Sequence, residues 1–324
     1  MKSNLKWFVA FLLLTGLTPL VHNFMPPYYA LILYQCGISI ILATSLNLVN
    51  GFTGQFSIGH AGFMSVGAYT AAYITTVLYR DFFTSEMGSL FFFLPLLAGG
   101  ITASIAGYIV GLPSLKLKGD YLAIVTLGFG EIIRVVFLNM PAVGGPRGLP
   151  AIPNLAGFGW IFSCAFITFF VLWRIVKSRY GRAFVAVRED EIAAESMGVP
   201  TTQVKVRAFV IGAFFAGVAG GLSAHLIQFI NPTEFGFAKS FEIIIMVVFG
   251  GMGSLSGSVV AAIFLTMLPE ALRGLQQYTH SDLRMVIYSF LLVVLMLSRP
   301  QGLFGRHEIG EFIRRLRKKE ALQS

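Results

Sequence analysis

Residues 174–207 read RIVKSRYGRAFVAVREDEIAAESMGVPTTQVKVR, with seven lysines and arginines and four acidic residues in 34 positions. On both sides of this stretch the chain is apolar. Hydrophobic residues make up 56% of the 324 positions and charged residues only 12%, about half the charged content of an ordinary soluble domain. Apolar runs long enough for a membrane helix, about 20 residues each, recur from Trp7 to Ser298. A charged loop inside such a sequence predicts an all-α, polytopic transmembrane bundle.

Ten apolar segments are expected, at about 7–24, 28–48, 57–79, 90–112, 121–140, 157–176, 207–230, 241–252, 256–272 and 283–299. Several are short or broken, so the expected number of membrane segments is about 8 to 10. The first follows Lys2 and Lys6 like a secretory signal, but 15–27 shows no small-x-small cleavage site, so an uncleaved helix is expected. Eighteen of the 24 lysines and arginines fall at the N-terminus, at Lys116 and Lys118, in the 174–207 loop and in the basic tail at about 299–324. Basic residues gather on cytoplasmic loops, so that loop, that tail and both termini are placed in the cytoplasm. The net charge of +9 is spread between membrane segments rather than over one soluble face, which argues against nucleic acid.

Residues 241–272 can be read as one kinked helix or as two short segments around FGGMGSLSG. Only the second keeps the basic tail in the cytoplasm. A Gly-interrupted segment at membrane depth must be buried by protein or line a cavity. NGFTGQFSIGHAGFMSVGA, at 50–68, is a second irregular stretch. Its glycines permit close helix packing, while Gln55, Ser57 and His60 bring polar groups that are costly against lipid. With Thr126 and Glu131 they form the candidate translocation pathway. Glu131 and Arg134 lie three residues apart on one helix face and are expected to pair, either as a structural ion pair or in gating and solute contact. Asp120 and Glu242 are read as residues at helix starts. His60 and His225 are single, Cys36 and Cys164 lie in apolar runs, and no metal site, disulfide or catalytic group is expected. No G-x-x-x-x-G-K-[ST] string occurs, so ATP, if used, is hydrolysed by another chain.

The loop itself reads as two short helices ending at Gly198 and Pro200, with small and apolar residues interleaved among charges, the pattern of a helix that docks in a partner's groove. Arg182, Arg188, Glu189, Asp190, Glu191, Ala193, Ala194 and Gly198 are its candidate coupling residues. Six blocks in order then resemble the ABC importer permeases for branched-chain amino acids, in particular the larger, LivM-type subunit. They are LNLVNGFTGQFSIGHAGFMSVGAYTAA, KLKGDYLAIVTLGFGEIIRVV, GGPRGL, SRYGRAFVAVREDEIAAESMGV, MVVFGGMGSLSGSVVAA and RPQGLFG, spread over 46–305. The loop is similar to the EAA motif of ABC importers, except that Ile192 stands where that motif has Glu.

The resemblance implies one permease domain over 1–324 in a bacterial inner membrane. It would import leucine, isoleucine, valine or related amino acids, or alternatively urea or amides. It implies no catalysis and no cofactor in this chain, with ATP used by two ABC ATPase subunits (LivG/LivF-type). A second permease (LivH-type) and an extracytoplasmic solute-binding protein complete the assembly. An ATP-independent secondary transporter or channel, with Glu131, Arg134 and His60 on an ion path, remains the alternative from another class.

Overall fold

The computed structural model describes residues 25–83, 86–115, 120–279, 290, 293, 302–305 and 308. Helices dominate, and among the described residues the sole β feature is an isolated antiparallel bridge between Leu149 and Ile230. The helices are α1 (Pro27–Asn47), α2 (His60–Tyr73), α3 (Phe93–Ser114), α4 (Asp120–Leu138), α5 (Phe158–Val176), α6 (Arg179–Glu189), α7 (Glu191–Ser196), α8 (Thr201–Ile227), α9 (Phe237–Gly250) and α10 (Leu255–Thr279). A π-helical turn extends α1 to Phe52 and another extends α2 to Leu78.

Among the described residues six helices are long and apolar enough to cross a membrane: α1 and α2 with their extensions, then α3, α4, α5 and α8. The eight expected segments from 28–48 to 256–272 all fall on helices. The expected segment 7–24 lies outside the described residues, as does 283–299 apart from two helical positions. Residues 241–272 resolve into two helices, since α9 stops at Gly250 and α10 starts at Leu255. Gly251 (φ 109°) and Gly253 (φ 95°) hold the intervening turn in a backbone region that L side chains rarely adopt. Glu242 sits in the second turn of α9 rather than at its start, because the helix begins five residues earlier.

α1 and α8 are mostly buried, whereas most residues of α4 and α5 are part-buried or exposed. The central contacts of α8 are with α2 and α3, and glycine makes them possible. A Cβ on Gly67 of α2 would lie 2.2 Å from the Gly217 backbone of α8. In lipid, where apolar side chains gain nothing by leaving the solvent, such backbone approach supplies the packing energy.

Gly67→Ala should therefore separate α2 from α8 and cost about 1–3 kcal/mol, seen as a lower thermal unfolding midpoint in detergent. Gly128→Ala is the control, because its methyl meets nothing within 4 Å, and its midpoint should stay level or rise.

Candidate functional site

The two Gly-rich breaks meet. α1 loosens into the π-helical turn Leu48–Phe52, and the chain then runs without helix from Thr53 to Gly59. Gly54 takes a positive φ of 69°, and the Thr53 hydroxyl donates back to the Val49 carbonyl at 2.6 Å. Asn50 ties the ends of this excursion together: its Oδ1 accepts from Ser57 N at 3.2 Å and its Nδ2 donates to Ser57 O at 3.3 Å. One turn earlier, Asn47 faces the second break. Its Nδ2 donates to Ser254 O at 2.8 Å and to Ser258 Oγ at 2.7 Å, and its Oδ1 accepts from Gly253 N at 2.9 Å. Asn47 is fully buried, so its amide replaces the water that a broken helix would otherwise need.

The candidate pathway residues divide into two places. Around the start of α2, Thr126 of α4 accepts from Ile58 N at 3.1 Å, Ser240 of α9 accepts from Ala61 N at 3.2 Å, and His60 Nε2 lies 2.9 Å from Ser45 Oγ of α1. Four helices thus converge where α2 begins, with Ser57, His60 and Thr126 brought together. Gln55 lies before them in the excursion, its Nε2 donating to Thr53 O at 3.3 Å. Glu131 is elsewhere, more than a turn further along α4, paired with Arg134 at 2.6 Å. Both are beside Gly236, where a Cβ would be 3.7 Å from Glu131 Oε1 and 3.8 Å from Arg134 Cδ. Lys239 and Glu242, at 2.9 Å, and Glu234 sit on the same entry to α9. Burial raises the Glu234 carboxyl above the usual range, with nearby Lys239 opposing the shift. His225 lies apart, between Thr75 Oγ1 at 2.9 Å and Gly221 O at 2.7 Å.

The charged loop is α6 and α7, and it is narrower than 174–207: α5 continues to Val176 and α8 begins at Thr201. The early start of α8 takes in Lys205, which is buried and pairs with Glu191 of α7 at 2.7 Å. Ser178 caps α6 by accepting from Tyr180 N at 3.1 Å. Asp190 caps α7 by accepting from Ile192 N and Ala193 N at 2.9 and 3.0 Å. Arg188 leaves the loop for the membrane helices. Its Nη1 donates to Gly51 O at 3.0 Å while its Nη2 pairs with Glu189 at 2.6 Å. A Cβ on Gly253 would meet the same Nη1 at 2.8 Å, so this one guanidinium lies against both breaks. Phe184 and Val187 of α6 and Ala194 of α7 are buried. Arg182, Ala193 and Gly198 are exposed, as are the apolar side chains of Ile192 (70%) and Met197 (85%).

Residues 302–305 and Glu308 close the junction from a third direction. Leu303 N donates to Phe249 O at 2.7 Å, and Glu308 accepts from Leu255 N and Ser256 N at 3.0 and 3.1 Å, capping α10. Asn47, Ser45, Ser240, Lys205 and Glu308 are parts of the site that sequence reasoning passed over. Asn47 and Asn50 did carry a signal, as two amides three residues apart at the end of an apolar span.

Residues 28–296 match the family described as the permease component of branched-chain amino acid transport systems. The chain is 37% identical to the high-affinity branched-chain amino acid transport system permease protein LivM of Escherichia coli, over 82% of this chain and 67% of that protein. The LivM of Salmonella typhimurium shows the same identity and coverage. The permease protein LivH of Escherichia coli is 26% identical, over 83% of this chain and 92% of its own length. No solved structure matches.

Asn47→Leu keeps the volume of the side chain at the junction but strips Gly253 N–H of its partner, while Ser254 C=O keeps the Ser258 donors. Each buried group left unsatisfied costs about 1–3 kcal/mol. The variant should melt earlier in detergent and exchange the Gly253 amide hydrogen faster than wild type.

Proposed function

The chain belongs to the family of branched-chain amino acid transport permease components, and from that premise we propose that it is one half of the membrane channel of an ATP-driven importer. In this reading leucine, isoleucine, valine or related amino acids pass into the cytoplasm of a bacterial cell across its inner membrane. A second permease of the LivH kind forms the other half, two ABC ATPase subunits dock on α6 and α7, and an extracytoplasmic binding protein delivers the solute. The distribution of lysine and arginine supports a cytoplasmic loop and cytoplasmic termini. With α9 and α10 as separate passes, the expected 8 to 10 segments keep that charge balance.

The observation that carries the mechanism is the Arg188 bridge. A loop that merely joined α5 to α8 would transmit little. This one is fastened to α8 through Glu191 and Lys205, and Arg188 fastens it to the first break and lays it against the second. Movement imposed on α6 and α7 by the ATPases therefore reaches the part of the bundle where regular helix has already given way. ATP shifts the permease between outward-open and inward-open states to the extent that the ATPases bind the loop differently in the two.

Three of the four acidic residues of the loop are turned to local work: Glu189 to Arg188, Asp190 to the cap of α7, Glu191 to Lys205. Among the exposed apolar side chains of the loop the Tyr180 ring lies under Arg207, and Ile192 and Met197 are suited to a groove on the ATPase surface. Ile192→Asp and Met197→Asp should abolish co-purification of the ATPase subunits and leucine uptake into proteoliposomes, while the permease itself melts as wild type does. Retention of the ATPases by both variants would overturn this docking surface, and ATP-independent uptake by the chain alone would favour a secondary transporter.

A further inference from the structure

Tyr69 of α2 is 1% exposed, and its hydroxyl is a buried polar atom without a hydrogen-bond partner. Its ring stacks on Phe137 of α4 (centroids 4.3 Å apart, planes 15° apart) and lies 6.3 Å from Phe235. Glu234 directly precedes Phe235 in the chain. A phenol so deeply buried normally finds a partner, and packing alone would be served by phenylalanine.

Phe235 leads into the start of a helix. Immediately after Phe235, α9 starts at Phe237 without a side-chain cap on its first N–H groups. A helix N-terminus of this kind attracts a carboxylate, and transporters place half-helix N-termini against anionic solute groups for the same reason. Of the five charged side chains at this entry, Glu131 is paired with Arg134 and Lys239 with Glu242. That leaves Glu234, which has no ion pair among the described residues, as the acceptor for a cationic group. Phe137 and Phe235 supply an apolar wall.

We infer that Tyr69, Glu234 and the N-terminus of α9 bind the solute in transit as a zwitterion with an apolar side chain. The Tyr69 hydroxyl and the α9 N–H groups take the carboxylate, Glu234 takes the ammonium, and the ring wall takes the aliphatic chain. This rests on the amino-acid importer reading above and adds the place and chemistry of recognition within this chain.

The test is equilibrium binding of tritiated leucine to the complete transporter complex in nanodiscs, paired with uptake from leucine-loaded binding protein into proteoliposomes. Saturable binding should be displaced by leucine but poorly by isoamylamine or 4-methylpentanoate, each of which lacks one of the two charges. Tyr69→Phe should weaken binding by roughly ten-fold or more, the effect of losing one hydrogen bond to a charged group, and Glu234→Gln should do likewise. If Tyr69→Phe fails to assemble with the ATPases, Glu234→Gln alone decides, since it alters an exposed carboxyl. Leucine binding and uptake at wild-type levels in the assembled variants would overturn the cradle while leaving the importer reading intact. A wild-type complex that takes up no leucine would instead overturn the importer reading.

Discussion

A peptide group released from a helix within the membrane has no water to turn to, and the structure is organised around meeting that constraint. Both breaks, at 48–59 and 251–254, free backbone groups deep in the protein. Side chains take them up, Asn50 for Ser57 from within the first break and the others from different helices: Asn47 for Gly253 and Ser254, Thr126 for Ile58, Ser240 for Ala61. The polar residues of these apolar segments are thus bound first of all to backbone. The breaks persist because each is satisfied from outside its own helix, which ties α1, α2, α4, α9 and α10 into one junction.

That junction explains why the charged loop matters. Arg188 can reach Gly51 O only because the π-helical turn and its glycine present a carbonyl that regular helix would have used internally. Gly253 leaves room for the same guanidinium. The residues that break the helices therefore also create the attachment for the loop, so irregular backbone and loop attachment have one physical cause. The close approach of α2 to α8 at Gly67 and Gly217 gives the junction a firm wall to move against.

The eight middle segments were legible because hydropathy alone marks a membrane helix, and the Glu131–Arg134 pair because three-residue spacing places both on one face. Whether 241–272 held one helix or two was open in the sequence. The answer rests on Gly251 and Gly253 adopting positive φ and on partners at Asn47, Leu303 and Glu308, which are distant along the chain. Asn47 reads locally as an amide at the end of a span, and its partners lie about two hundred residues away. Lys205 reads as one more loop charge, because nothing local shows that α8 reaches back to Thr201 and buries it against Glu191. Sequence marked the loop as a docking helix in which charged and small residues stand together. That Glu189, Asp190 and Glu191 find partners close by while Ile192 and Met197 stay exposed depends on side-chain direction rather than composition.

The account's central claim is that the loop and the two breaks move as one body. The most direct measurement places spin labels at exposed Arg182 of α6 and exposed Met252 of the second break, in a background lacking Cys36 and Cys164. Their separation is then read by electron double resonance in the complete transporter, nucleotide-free and trapped with ATP and vanadate. The account predicts the same narrow distance distribution in both states. A shift of several ångströms on trapping would show that the loop slides over the breaks, and would contradict it.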